Sequence, residues 1–482
     1  SGLAVRTKSI IEKSFDPNRV YDWNDFMSLI ITDNNAFDAY GNVLDVTVKT
    51  LDAPDAVQTF STVRTISAFD NTLDPNWILG RLRTTAVTHS RRDVPGSMTR
   101  YAAYDYFASG LLKTEKVLTS PTTVARMKKY FYDDFGNVKR TATCSTHVSE
   151  AVCGSETAEP ERMPSILEKV HRVEISEYDS KGRYVDRTKG FFNGQSGAIT
   201  ETQVLARDRF GNPTQVRNAA GVDQRFVYGN FGQPYYAWTE TVPDAVLGAS
   251  GQGVSSRTTR AYCQSNGGPA ACPVEAVYRE TVAVTGAPRQ WLYVNALGEE
   301  VARAVEGFNA GGGSSRSVSM TCTARDLRRR TVEVTEPFSI GTVSAGGDPA
   351  AMSTLCSASH PKTTQAFDML DRLIWTVAPD GARTTFAYDE LETLTTLPTT
   401  STSSNPLVYR QRWQLKNALG EVIMSRDPDP AGAPVTSDWD GNGLPTQFIY
   451  DAIGNLTEVN RGASLNGQKT TMVYDALGRK VR

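Results

Sequence analysis

The sequence predicts an all-β fold built as one long ribbon of antiparallel hairpins. Three observations carry that expectation. A short phrase, aromatic-Asp-x-x-Gly, recurs along the chain; dense copies fall 10 or 11 residues apart; and helical periodicity is hard to find outside short patches such as residues 163–171.

The phrase stands strictly at Phe37-Asp38…Gly41, Tyr132-Asp133…Gly136, Tyr178-Asp179…Gly182, Trp439-Asp440…Gly443, Tyr450-Asp451…Gly454 and Tyr474-Asp475…Gly478. Relaxed copies stand at Asp208…Gly211, Asn218…Gly221, Gly229…Gly232, Asn295…Gly298 and Asn417…Gly420. Asp368…Asp371 and Asp389…Glu392 place an acidic residue in the glycine slot. Asp or Asn at the first turn position bonds backbone N–H groups two residues on. Glycine three positions later takes the left-handed conformation that a type I turn with a G1 bulge requires. The aromatic, on the incoming strand, falls opposite the second residue after glycine. That residue is Val43, Val138, Tyr184 or Leu456 in four copies, and Pro445 or Lys480 in the other two. Such aromatic–aliphatic pairs contribute roughly 0.2–1 kcal/mol each.

Spacing converts the phrase into an architecture. Asp208, Asn218 and Gly229 lie 10 and 11 residues apart, and the step recurs from Asp368 through Ala378-Pro379-Asp380-Gly381 to Asp389, and from Asp440 to Asp451. Removing the turn residues leaves about six per strand, an ordinary strand length. The organisation expected is a lead-in over residues 1–32 and one repeat region over 33–482. Irregular, loop-rich stretches fall at about 141–165, 233–290 and 335–362.

Composition agrees and excludes some functions. The 51 Lys and Arg nearly balance 53 Asp and Glu, for a net charge of −2, so nucleic acid is not an expected partner. No stretch approaches the length of a membrane-spanning helix, and the N-terminal residues carry no signal-peptide pattern. Six cysteines fall as local pairs: Cys144 with Cys153, Cys263 with Cys272, and Cys322 with Cys356. An even count in local pairs favours three disulfides and an oxidising compartment, hence a secreted or cell-envelope location. On the loop-entropy model each short bridge contributes about 2.7 kcal/mol and the longer one about 3.8. Zinc fits poorly, because its ligand pairs sit two to four residues apart.

The density of these phrases resembles the YD repeats of the RHS family, shared by bacterial polymorphic toxins, the B and C components of insecticidal toxin complexes, and teneurins. The stretch "FDAYGNVLDVTVKT" and the run from Trp77 to Arg92 also resemble the region entering the shell in B-type proteins. The likeness covers the chain from about residue 33 onward. It implies a β-strip spiralling into a hollow shell, which in toxin members surrounds a C-terminal effector; for this length of chain a partial spiral, an open sheet and a small shell all stay open. Sheet twist makes coiling reasonable, and lateral stacking of successive coils would pair exposed edges. Toxin members also carry an aspartate-dependent self-cleavage region with D-P-x-G and N-x-Y-x-Y-x-x-N-N-P phrases. Neither occurs in this sequence, and Asp427 to Gly432, "DPDPAG", is followed by another repeat. No protease residues carry over.

Nothing else assembles into a reaction centre. His89, His147, His171 and His360 have no paired spacing, and no G-x-S-x-G, Walker-type or H-E-x-x-H phrase is present. Asp438, Asp440 and Asn442 resemble a calcium loop, but Ile449 stands where the closing Glu belongs and Thr446 where shorter loops place Asp. A plain turn is the simpler reading. Tyr228, Tyr235, Tyr236 and Trp238 read as strand aromatics before they read as a glycan platform. The basic run Arg325 to Arg330, with Arg329 in the glycine slot, reads as a solvated hairpin tip. Catalysis, cofactors and metals are therefore not expected. The expected role is structural: a shell segment whose partners are an enclosed effector and the remaining shell. The alternative is an extracellular adhesion or glycan-binding module.

Overall fold

The computed structural model describes residues 6–15, 26–52, 59–72, 78–145, 170–192, 198–229, 232, 234–239, 255–264, 267–268, 270–307, 315–344, 347–349, 356, 359–397, 410–428, 443–462, 467–475 and 478–482. Among them no α-helix occurs, and 31 strands belong to one sheet. In chain order they are β1 (Ser9–Phe15), β2 (Phe26–Phe37), β3 (Val43–Leu51), β4 (Ser61–Thr72), β5 (Ile78–Arg91), β6 (Val94–Tyr106), β7 (Leu112–Ser120), β8 (Thr123–Tyr132), β9 (Val138–Ser145), β10 (Val170–Tyr178), β11 (Val185–Phe192), β12 (Ile199–Arg207), β13 (Pro213–Asn218), β14 (Asp223–Tyr228), β15 (Pro234–Thr239), β16 (Ser255–Tyr262), β17 (Tyr278–Val284), β18 (Gln290–Val294), β19 (Glu300–Glu306), β20 (Ser315–Arg325), β21 (Thr331–Thr335), β22 (Phe338–Ser344), β23 (Lys362–Phe367), β24 (Leu373–Val377), β25 (Arg383–Asp389), β26 (Glu392–Thr396), β27 (Gln411–Lys416), β28 (Val422–Asp427), β29 (Leu444–Tyr450), β30 (Leu456–Arg461) and β31 (Gln468–Thr471). Strands thus also run inside the lead-in and inside the stretches read as loop-rich.

The chain forms two compact units. Unit 1 comprises Ser1–Ser176, Gly190–Ala198 and Thr384–Arg482; unit 2 comprises Glu177–Lys189 and Ile199–Arg383. In unit 1 each strand from β1 to β10 pairs antiparallel with the next, and β25 to β31 repeat the pattern. In unit 2, β12 to β20 do the same. Strands β21 and β22 both lie along β20, through Thr323↔Val334 and Met320↔Phe338. They act as one strand broken at Glu336-Pro337, where proline lacks the N–H a ladder needs.

Register irregularities fall just before the aromatic of a phrase, between Phe131 and Tyr132 and between Ile449 and Tyr450, as a G1 bulge demands. The aromatic then faces the second residue after glycine: Phe37↔Val43, Tyr132↔Val138, Tyr450↔Leu456. Strands alternate in direction, so within each unit turns two strands apart share an edge; most phrase turns lie on one, here called the aromatic edge, whereas the Asn218…Gly221 turn between β13 and β14 lies on the other. The far edge carries the intervening connections.

Apolar burial is patchy, as a one-layer sheet requires. The largest cluster, in unit 2, gathers Cys263, Ala276, Trp291, Tyr293, Val301, Ala302, Ala304, Val318, Met320, Cys322 and Val343. Smaller clusters in unit 1 centre on Met127 and Phe131, on Leu29 and Leu51, and on Trp413 and Met424.

Candidate functional site: the turn edge of the ribbon

Where Asp or Asn leads a described G1-bulge turn, its side chain helps close it. Asp38 Oδ1 accepts N–H bonds from Tyr40 and Asn42, both at 2.9 Å, and Gly41 N–H bonds the Asp38 carbonyl at 3.2 Å. Asp133 holds Phe135 and Asn137, Asp208 holds Phe210 and Asn212, and Asp451 holds Ile453 and Asn455 in the same way. Gly41, Gly136, Gly182, Gly211, Gly443, Gly454 and Gly478 all have φ between 66° and 103°. Arg329 and Asp371 take positive φ without being glycine, at 68° and 63°. Asp440 and Cys153 lie outside the described residues, as do His147, Asp438 and Asn442.

A fifth position completes the turn, and sequence reasoning passed over it. In eight of the Asp-led turns, the residue four later is a donor to the carboxylate. Asn42, Asn137, Asn212 and Asn455 give Nδ2–H to the second carboxylate oxygen at 2.8, 3.1, 3.0 and 2.8 Å. Arg183, Arg330, Arg372 and Arg479 serve Asp179, Asp326, Asp368 and Asp475 likewise. Where Asn leads, the chemistry inverts: Asn295 and Asn417 donate to Glu299 and Glu421 at 2.9 and 2.6 Å. The signal was available, since DxxGN, DxxGR and NxxGE are legible in the sequence. The Asn42 carboxamide, helped by the N–H groups of Asn42 and Tyr40 and by Asn71, holds the Asp38 carboxyl at about 2. Asn212 lowers Asp208 and Arg330 lowers Asp326 in the same sense.

The aromatic has a second task. Tyr132 Oη–H donates to the Leu112 carbonyl at 2.8 Å, Tyr228 to Pro213 at 2.8 Å, Tyr450 to Val422 at 2.9 Å and Tyr474 to Leu456 at 3.0 Å. Each acceptor is the second residue after the glycine of the preceding turn on the same edge. Tyr106 extends the rule to Leu82, two residues after Gly80. The hydroxyl thus links one hairpin to the one before it.

Other side chains make the same link. Arg329 Nε bonds Glu299 at 2.7 Å, and Arg330 bonds the Asp368 carbonyl at 2.9 Å and Asp371 at 2.6 Å. The run 325–330 is thus the solvent-exposed hairpin tip expected, and its arginines also staple it to the neighbouring turns. The Asp179 turn closes one residue late, from its N–H to the Tyr184 carbonyl at 2.9 Å. Tyr184 consequently stands outside β11, and its ring lies against Gly211, where a Cβ would meet Cζ at 2.3 Å. Arg207 stacks over that ring at 4.9 Å and bonds the carbonyls of Val185 and Gly211. The Asp389 hairpin also departs from expectation. Asp389 pairs directly with Glu392 across the two residues Glu390 and Leu391, and Glu390, not Glu392, takes the positive φ of 50°.

In unit 1, Arg91 joins distant parts of the ribbon. Arg91, at the far-edge end of β5, has a side chain only 1% exposed. Its Nη1 donates to Glu421 at 2.8 Å and to the Asp451 carbonyl at 3.4 Å, while Nε and Nη2 hold Asp93 at 3.0 and 2.8 Å. The guanidinium lies 5.5 Å from the Phe60 ring centre. Asn417 and Ala452, in the aromatic-edge turns that meet it, are buried. His89 sits nearby on β5; burial, then Arg100, push its imidazole down, and Asp451 opposes them. The far edge of an early hairpin therefore abuts the aromatic edge of late ones, by a charge pair that separate burial could not sustain.

Disulfides Cys263–Cys272 and Cys322–Cys356 both border the large unit 2 cluster, with each Cα pair 5.6 Å apart. Cys144 is buried in the Met127 cluster. Asp348 ties the segment before Cys356 to the core, accepting from Trp291 Nε1 at 3.0 Å and pairing with Arg279. His360 stacks on Phe338 at 3.6 Å. Tyr235 is exposed on β15 and Tyr236 follows on the other face. Among the described residues no group of three or more His, Cys, Asp or Glu side chains is placed to hold a metal ion.

No protein-family model and no curated protein matches the sequence. Solved structures do. The crystal structure of TcdB2-TccC3 aligns over 94% of this chain at 11% identity with a TM-score of 0.55. The TcdB2-TccC3-TEV crystal structure gives 0.60 at 10% identity, and the Photorhabdus luminescens Tc holotoxin pore gives 0.58 at 11%. This chain has the β-sheet fold of those toxin complexes. It spans 28% to 30% of the length of the chains it matches.

Proposed function

We propose that this chain is wall material: a YD-repeat shell segment of a secreted, bacterial toxin-type protein, enclosing an effector polypeptide for delivery. The observation that carries the reading is the contact at Arg91, where two edges of the ribbon meet and shut. Turn-to-turn hydrogen bonding stiffens the strip between such contacts, and disulfides suit an extracytoplasmic wall. The likeness to Tc structures supports the fold on which this rests. Confinement needs no reaction centre; the wall isolates its cargo from proteases until release.

Electron microscopy of the full-length natural product, with protease digestion in parallel, tests the proposal. A lumen holding density, and an effector cut only after the wall is breached, is the expected outcome. A solid particle, or an effector cleaved as fast as when free, would reject it. An adhesion module would instead give specific signals on a glycan array, which a container does not require.

A further inference from the structure

The two bridges that border the large unit 2 cluster differ in what can reach them. Cys263, just past β16, is 0% exposed. Backbone bonds close around it, from its own N–H to Val277, from Gly268 back to Cys263, and from Gln264 to Ala270. Its partner Cys272 is only nine residues away in sequence. Cys322, on β20, is instead 34 residues from Cys356, which lies in no strand. Both of these cysteines line a cavity of about 230 Å³, and neither Cys263 nor Cys272 belongs to its wall. The exposed rim of the cavity carries Val274, 72% exposed, with Glu275 and the Lys362–Glu333 ion pair at 2.8 Å.

A disulfide is opened by a thiolate that reaches one of its sulfurs, so access decides which bridge reacts first. Cys322 is buried and Cys356 only half-buried, so a thiol entering the cavity meets Cys356. Two carboxylates, Glu275 and Glu333, outnumber the single Lys362 ammonium around the entrance. The local charge therefore disfavours an anionic thiol.

We infer that Cys322–Cys356 is a thiol-addressed bridge, and that this cavity is the entry site for a small thiol of neutral or positive charge. The incoming thiolate bonds Cys356 Sγ as the Cys322–Cys356 bond breaks. The Cys322 sulfur leaves with the electron pair and takes a proton from water. A second thiol then attacks the small thiol's sulfur in the mixed disulfide and releases Cys356. Two small thiols are oxidised to one disulfide, and one protein disulfide is reduced to two thiols. The inference goes beyond the wall reading and stands without it, because a bridge reacts by access whatever the chain encloses. For an extracytoplasmic wall it marks the bridge that opens first in a thiol-rich compartment.

The folded full chain is treated with neutral 2-mercaptoethanol or anionic mercaptoacetate, sampled over time, trapped with N-ethylmaleimide and mapped by mass spectrometry. Cys322 and Cys356 should be labelled about tenfold sooner than Cys263 and Cys272, with the intermediate adduct on Cys356. Val274→Trp, at an exposed turn, narrows the entrance and should slow the first pair about fivefold while leaving the second unchanged. Glu275→Gln should quicken mercaptoacetate about threefold relative to 2-mercaptoethanol, a charge effect that a loosened fold would not give. Circular dichroism at first labelling should match that of the untreated chain. Bridges that open together, opening only after the circular dichroism is lost, four unlabelled cysteines, an adduct confined to Cys322, or rates blind to either substitution would overturn the inference.

Discussion

Replacing Gly211 with alanine separates backbone strain from turn-to-turn contact. At φ +90° any side chain is strained, at a cost of about 1–2 kcal/mol. Its Cβ would also stand 2.3 Å from Tyr184 Cζ. The ring must then leave, disturbing the Arg207 stack, at a further cost of about 1–3 kcal/mol. Gly221, at φ +77° with nothing within 4 Å of its would-be Cβ, suffers only the first cost. The expected totals are therefore about 2–5 and about 1–2 kcal/mol. A repetitive sheet opens piecewise, so native-state hydrogen exchange is the assay, read at the Asp208 and Asn212 amides for Gly211 and at the Asn218 and Val222 amides for Gly221. Tyr184→Ala added to Gly211→Ala should recover part of the loss. Equal protection loss at both glycines, or no recovery in the double variant, would refute the contact argument.

Other substitutions probe the remaining links. Tyr132→Phe and Tyr450→Phe each remove one inter-turn hydroxyl and should cost about 1 kcal/mol, seen as faster exchange in both connected hairpins. Asn295→Asp sets two carboxylates against each other and should loosen its turn by about 1 kcal/mol, while adding Glu299→Asn restores the donor–acceptor match. Asp38 is held at about 2, below its ordinary value, so its bonding supports the turn above pH 4 and is lost as pH falls through 2. Protection of the Tyr40 and Asn42 amides should fall across that window, and Asp38→Asn should flatten the dependence. Reduction of Cys322–Cys356 should expose Trp291, shifting its fluorescence to the red.

The turns were legible because their logic is local. A carboxylate, two spacers and a glycine form a closed instruction, and the step between copies sets strand length. The fifth residue is equally local, because it follows glycine directly and answers the turn's own carboxylate or carboxamide. The tyrosine hydroxyl was not legible, since its acceptor is a backbone carbonyl 15 to 28 residues away, which no side-chain identity marks. Tyr184 and the Asp389 hairpin were misread for a related reason: one residue more or fewer in a loop changes register without changing the phrase. Arg91 was hidden altogether, because a pair 330 residues apart in sequence arises only when the ribbon returns upon itself.

The most direct test is to replace Arg91 and Glu421 together with cysteine and follow their linkage by a short bismaleimide, which spans the reach of the lost side chains where a direct disulfide would not. Among the described residues no free cysteine competes. If the far edge of β5 and β6 shuts against the late turns, the pair should be cross-linked within one chain, seen as one linked peptide by mass spectrometry. Two separately alkylated thiols in a folded chain would contradict that closure.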